Sequence, residues 1–289
     1  MTQPAILAPI PTVGRYLSYT LHGSADEARA ALTRLAAAAD GQTLVVGVGQ
    51  SLALALGRPL AGLAPFPQIA APGIDAPSTP AALWCWLRGD DAGTLLLRAH
   101  ELTQTLAPAF EVQTEVGAFC HGGQVDRDLS GYEDGTENPK GAEAAEAALA
   151  ADGGSFVAVQ QWVHDLRRMN RLLASGQMDA AIGRERTSND ELEDAPARAH
   201  VKRSEQESFT PEAHLLRRSM PWADGGRSGL MLVAFGHSLA AFEAQWRRMM
   251  GEEDGVTDAL FDFTRPVSGA YFWCPPLHGG RLDLRTLGL

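Results

Sequence analysis

The order of strand-like and helix-like segments is the strongest constraint on how this chain can fold. Residues 14–22 alternate as a strand does, with Tyr16, Leu17 and Tyr19. Residues 26–39 place Ala, Leu and Arg at helical spacing behind Ser24, a side chain suited to the N-cap. A short apolar strand over 43–48 follows, then a stretch broken by Pro and Gly. An aromatic-rich strand over 82–88, a helix over 92–107 and an extended run over 110–119 complete the first half. The order is β-α-β-β-α-β, the ferredoxin-like pattern. The second half repeats it loosely. A strand over 155–163 leads to a helix over 165–181 and a polar stretch from Gly183 to about Ala199. A strand over 230–235, a helix over 239–250 and a last strand over 270–273 follow. The halves share no sequence repeat, yet their similar order predicts two like lobes packed together, an α+β fold with antiparallel sheets. The lobes are expected at 1–140 and 141–289. The boundary region holds Pro139, a possible helix over 142–149 and the turn Asp152-Gly153-Gly154.

A chain of 289 residues suffices for one large domain or two ordinary ones, and for a core that encloses a cofactor. Its 24 Lys and Arg against 35 Asp and Glu give a net charge of −11, which argues against nucleic acid or an anionic membrane as partner. No basic segment followed by an apolar run opens the sequence, and no apolar stretch approaches the ~18 residues that span a bilayer. The expected location is the cytoplasm. Cys85, Cys120 and Cys274 follow no CxxC spacing and read as reduced thiols, with Cys85 and Cys274 in apolar, strand-like runs that predict burial.

Three groups of residues could carry chemistry. Gly131-Tyr-Glu-Asp134-Gly-Thr-Glu-Asn-Pro139 is a tight turn with two glycines around an Asp. Such a turn can hold a carboxylate over a cavity, although the residues alone fit a surface loop better. Among eight histidines, His22, His121, His164, His237 and His278 fall near turns or element ends. His200 follows the long polar stretch. A His that ligates a metal needs one free ring nitrogen and an acceptor for the other, and spacing does not single out His200. Arg217 and Arg218 follow two leucines and precede Ser219-Met-Pro. Read alone they are cations at an element end; an inward guanidinium would stabilise negative charge developing on oxygen.

Together these segments resemble the dye-decolorising peroxidases. Residues 131–139 resemble that family's GxxDGTxNP signature, and His200 to Trp222 resemble its HxxR segment followed by LRxSMP. The stretch from Gly251 to Pro276 is similar too, with Asp258-Ala-Leu-Phe-Asp-Phe and Pro266-Val-Ser-Gly-Ala-Tyr-Phe-Trp. So is the opening Gln3-Pro-Ala-Ile-Leu-Ala-Pro. Short length and the Ser-Met-Pro form point to the compact bacterial class called type B. Ala199, where many members have Ser, and Arg218 after the distal Arg are departures.

The resemblance implies a barrel-like pair of ferredoxin-like lobes with haem b mainly in the C-terminal lobe. His200 would be the proximal iron ligand and Asp134 the distal acid or base. Arg217 would be the distal cation, with Arg218 as alternative, and Ser219 would stand close by. Asp258 would accept the other ring N–H of His200, with Asp262 as alternative. Arg203 would pair with a haem propionate, and Met231, Leu232 and Phe235 would line the distal pocket. The implied activity is reduction of hydrogen peroxide and one-electron oxidation of organic donors such as dyes and phenolics, through a ferryl intermediate. Electrons would leave through one of the aromatic residues Trp84, Trp86, Trp162, Trp222, Trp246, Trp273, Tyr132 or Tyr271. Homo-oligomers are common in the family, and some members dock in protein nanocompartments through a C-terminal tail. Here residues 277–289 are short and fit closure of the fold better. The competing readings are a haem-handling protein on the same fold and an α+β interaction module without cofactor.

Overall fold

Ser24 starts the first helix as its side chain dictates. Its Oγ accepts from the Glu27 amide while the Glu27 carboxylate accepts from the Ser24 amide, a reciprocal cap on α1 (Ala25–Ala38). The computed structural model describes residues 1–123 and 126–289. In the first lobe, β1 (Val13–Leu21), β2 (Leu44–Val48), β3 (Leu83–Gly89) and β4 (Phe110–Phe119) form the order β2-β3-β1-β4. α1 and α2 (Ala92–Leu106) close its outer face with Leu32, Leu35, Leu102 and Leu106. In the second lobe, β5 (Ser155–His164), β6 (Met220–Asp224), β7 (Arg227–Gly236) and β8 (Ala270–Cys274) form the equivalent order β8-β5-β7-β6. Both are ferredoxin-like, as the element order predicts.

The lobes join edge to edge at two narrow seams, Ala118 opposite Trp222 and Trp273 opposite Val48. These eight antiparallel strands therefore close into a ring among the described residues. A barrel of this size leaves an interior that side chains fill. Tyr16 stacks on Trp86 there at 5.7 Å and Trp84 on Phe272 at 5.9 Å, with Phe235 and Trp222 buried beside them.

Some elements differ from expectation. The helix predicted over 165–181 is two helices, α3 (Leu166–Ala174) and α4 (Gln177–Ile182), because Gly176 between them adopts φ +69°. β6, absent from the element order expected above, pairs Pro221 with Leu230 and makes one seam through Trp222 opposite Ala118. A short α5 (His200–Ser204) ends the polar stretch, and α6 (Ala240–Met249) covers the second lobe. Cys85 and Cys274 are buried, and burial pushes both thiols well above their ordinary range. Leu284 and Leu287 are buried in one core cluster with Leu32 and Leu35 of α1, and Arg29 of α1 donates to Leu287 O and Gly288 O. Among the described residues no helix is long and apolar enough to cross a membrane.

Candidate active site

The site grows from strand parity. β5 and β7 pair with Leu230 opposite Trp162 and Leu232 opposite Gln160. Alternate residues face opposite sides of the sheet. Gln160, Trp162 and His164 of β5, with Leu230, Leu232 and Ala234 of β7, therefore face outward onto one cavity of about 260 Å³. α6 supplies Phe242, Gln245, Trp246 and Met249, one helical stripe, as the facing wall. Leu232 lies where the sequence predicted. Phe235 and Met231 do not: with the opposite parity they point into the barrel, Phe235 beside Trp84 at 6.5 Å. Of the aromatic residues named above, Tyr132, Trp162 and Trp246 line the cavity.

His200 opens α5 at the cavity wall. Its Nδ1 lies 2.8 Å from Oδ2 of Asp258, which is fully buried. The other Asp258 oxygen accepts from the Leu260 amide at 2.8 Å, so the carboxylate is fixed from both sides. This fixes the tautomer with Nδ1 as donor, and Nε2 makes no hydrogen bond among the described residues. Asp262 is not the partner; it forms a bidentate pair with Arg198 at 2.7 and 2.9 Å. Arg203 does not reach the cavity. Its guanidinium is buried in a bidentate pair with Asp254 at 2.8 and 2.9 Å and donates to Arg248 O at 2.6 Å, which leaves no fork for a propionate.

Asp134 reaches the cavity from the 131–139 loop. Gly131 and Gly135 take φ +89° and +71°, backbone angles that turn the chain on either side of the Asp. Two side-chain amides fix the loop to the neighbouring strand. Asn138 Oδ1 accepts from the Arg217 amide at 2.7 Å, and its Nδ2 donates to Arg217 O at 3.0 Å. Gln206, just beyond α5, donates to Glu137 O and accepts from the Leu215 amide, both at 2.8 Å. Asp134 and Arg217 are thereby held on one wall of the cavity. Burial pushes the Asp134 carboxyl above its ordinary range, and the Arg217 charge pulls back less strongly. The Arg217 Nε and Ser219 Oγ, both on this wall, are buried without a partner among the described residues. Arg218 turns away and donates to Leu7 O at 2.8 Å, which favours Arg217 as the cavity cation.

One cluster escaped sequence reasoning. His164 Nε2 meets Asp128 at 3.0 Å, and its Nδ1 meets Thr264 Oγ1 at 2.7 Å. Thr264 Oγ1 also donates to Val163 O at 3.1 Å, which fixes the hydroxyl against the ring. Burial opposes the charge of Asp128, but bonds from His164 and Ser130 prevail and hold its carboxyl at about 2. The usable signal was parity: polar Gln160 and His164 flank Trp162 on alternate positions of a buried strand.

The wall chemistry suits a flat macrocycle that brings its own metal. Its sides are apolar, and among the described residues Gln160 Nε2, Arg217 Nε and Ser219 Oγ lack partners. A single His presents a free ring nitrogen. Among the described residues no cluster of three or more His, Cys, Asp or Glu is placed to chelate a bare ion.

Comparison with known proteins gives the family. Residues 125–279 match the family described as Dyp-type peroxidase, C-terminal. The chain belongs to the dye-decolorising peroxidase family. A dye-decolorizing peroxidase of Rhodococcus erythropolis is 32% identical over 251 residues, 82% of this chain and 73% of that protein. The solved dye-decolorizing protein from Vibrio cholerae is 29% identical with TM-score 0.82, covering 98% of each chain. A variant of DypB from Rhodococcus jostii, solved in complex with haem, is 28% identical with TM-score 0.82 and covers 94% of this chain and 95% of its own. Four curated relatives are covered over 61 to 73% of their own length. As a dye-decolorising peroxidase the chain is an oxidoreductase, and these matches do not favour the haem-handling alternative.

Proposed function

We propose that the cavity holds haem b, with His200 as its iron ligand, and that the protein reduces hydrogen peroxide while oxidising organic donors such as dyes and phenolics. The observation that carries this is the pairing of His200 with a fully buried Asp258, with Asp134 and Arg217 on the same cavity. Haem, when bound, supplies the two-electron reduction of peroxide and the one-electron oxidation of donors.

The residues have separable roles. Asp258 accepts the Nδ1 proton of His200, which turns the ring and makes Nε2 more basic. Asp134, when ionised, accepts a proton from one peroxide oxygen and returns it to the other. Arg217 stabilises negative charge on the departing oxygen, and its unpartnered Nε is available for that contact. Ser219 Oγ, also unpartnered, positions peroxide or a water beside them. Leu232 and Trp246 exclude bulk water from the face they cover. In this reading residues 1–140 supply Asp134 and residues 141–289 supply His200 and Arg217.

The test is the absorption spectrum of haem-loaded protein before and after one equivalent of peroxide, beside His200→Ala. A haem band that responds to peroxide, and loses its normal ligation in the variant, is expected. A band indifferent to peroxide, or ligation unchanged in His200→Ala, refutes the assignment.

A further inference from the structure

A second cavity, of about 350 Å³, lies behind the wall that carries Asp134 and Arg217. Asp134, Gly135, Arg217 and Ser219 line both cavities. Leu7, Pro9 and Ile10 close part of the far side. The charged groups around it are Arg217, Arg218 and Lys140 against Asp126 and Asp134. Cations therefore outnumber carboxylates, and burial moves Asp134 toward its neutral form.

The two guanidiniums also lack carboxylate partners among the described residues. Arg218 donates only to backbone oxygens, Leu7 O at 2.8 Å and Arg217 O at 3.2 Å. The Nε atoms of Arg217 and Arg218 and the Oγ of Ser219, a residue only 6% exposed, are buried without a partner among the described residues. Burial, and then repulsion from Arg88, bring the Arg218 guanidinium down to about 10, and the Asp126 carboxylate offsets them only in part. A half-buried cation with an unused donor and no direct ion pair among the described residues is a costly arrangement, and an anion relieves it.

We infer that this second cavity binds a small monoanion of nitrate or carboxylate chemistry, held by Arg218 and the Ser219 hydroxyl beside Arg217. The site stands on the side chains alone. Its consequence rests on the function proposed above: an anion there competes with Asp134 for the Arg217 charge and slows the peroxide step.

Nitrate is the probe. Calorimetric titration into haem-free protein should show one saturable site per chain. Affinity should fall roughly tenfold or more in Arg218→Gln and less in Arg218→Lys, which keeps the charge but not the fork. Lys140→Gln, on the exposed rim, should fold normally and weaken binding about two- to threefold. His200→Ala should bind nitrate as wild type does. In haem-loaded enzyme, nitrate should slow the peroxide step of wild type and leave folded Arg218→Gln insensitive. Absence of saturable binding overturns the inference. So does wild-type affinity in a folded Arg218→Gln, or wild-type affinity in Lys140→Gln should Arg218→Gln not fold. Binding lost in His200→Ala would place the anion in the haem cavity and overturn it as well. Because the haem-free titration needs no haem, a failed anion site and a failed haem assignment give different results.

Discussion

Two carboxylates on the walls of one cavity are perturbed in opposite directions, and the signs lead to different experiments. Asp134 is raised by burial, so it becomes a base only at pH above the ordinary carboxylate range. The peroxide step should therefore rise with pH through that raised value, and Asp134→Asn should slow it and flatten the limb. Arg217 is the largest influence lowering Asp134. Arg217→Leu should thus slow the step in stopped flow at least as much as Asp134→Asn, by about 10²-fold or more, and move the limb to higher pH. A fast Arg217→Leu enzyme would refute this division of labour. The linkage sign for folding is also fixed. A carboxyl raised in the folded state contributes stability below its unfolded value and loses it as pH rises through the folded one. Asp134→Asn should consequently raise the melting temperature of haem-free protein at pH 7, with no gain below about pH 4. Asp128 behaves oppositely. Held at about 2, it contributes on the order of 2 kcal/mol above pH ~4, lost as pH falls toward 2. Asp128→Asn should cost about that much at pH 7 in chemical denaturation, and a neutral substitution would show that His164 is satisfied otherwise.

At the scale of elements, the site depends on segments tied to one another rather than on regular structure. Asn138 mimics a strand partner, exchanging two hydrogen bonds with the backbone of Arg217. Asn138→Ala removes both and leaves a half-buried amide and carbonyl unpaired, at a cost of about 1–3 kcal/mol. It should also slow the peroxide step while leaving the haem band of resting enzyme as in wild type, since His200 is untouched. A changed resting band would mean the clamp also governs the proximal side. These ties were only partly legible. The capping box at Ser24 and the two-fold ferredoxin-like order are local signals, and they were readable. Asp134, His200 and Asp258 could be placed by motif resemblance, although composition and spacing alone left the 131–139 loop as a surface turn. Phe235 and Met231 share the strand of Leu232 but not its face, and a run such as Leu230 to Phe235, apolar on both faces, does not mark which one meets the cavity. Arg203 was misplaced for a different reason: its partner Asp254 lies 51 residues away, and nothing local announces the pair.

For the whole molecule, the useful comparison is between its two lobes. Both have one sheet order, and both turn one face into a shared barrel of packed aromatic rings. On the outer face they diverge. In the first lobe, two long helices close-pack against the sheet. In the second, the helix after β5 breaks at Gly176, a polar stretch replaces regular structure, and α5 is five residues long, so the sheet keeps a cavity. The place where the second half departs from the pattern of the first is therefore where the chemistry lies, as expected when local regularity yields to function. This separates two buried tryptophans by role. Trp84 lies inside the barrel and Trp246 on the cavity wall. Truncating either to Ala should cost about 3–5 kcal/mol in stability. At a temperature where both variants remain folded, Trp84→Ala should keep wild-type haem retention and His200 ligation, because a sheet stands between it and the cavity. Trp246→Ala should release haem faster to an acceptor protein. Equal release from the two would mean that the barrel interior and the cavity are one mechanical unit, and that the sheet does not insulate the site from its own core.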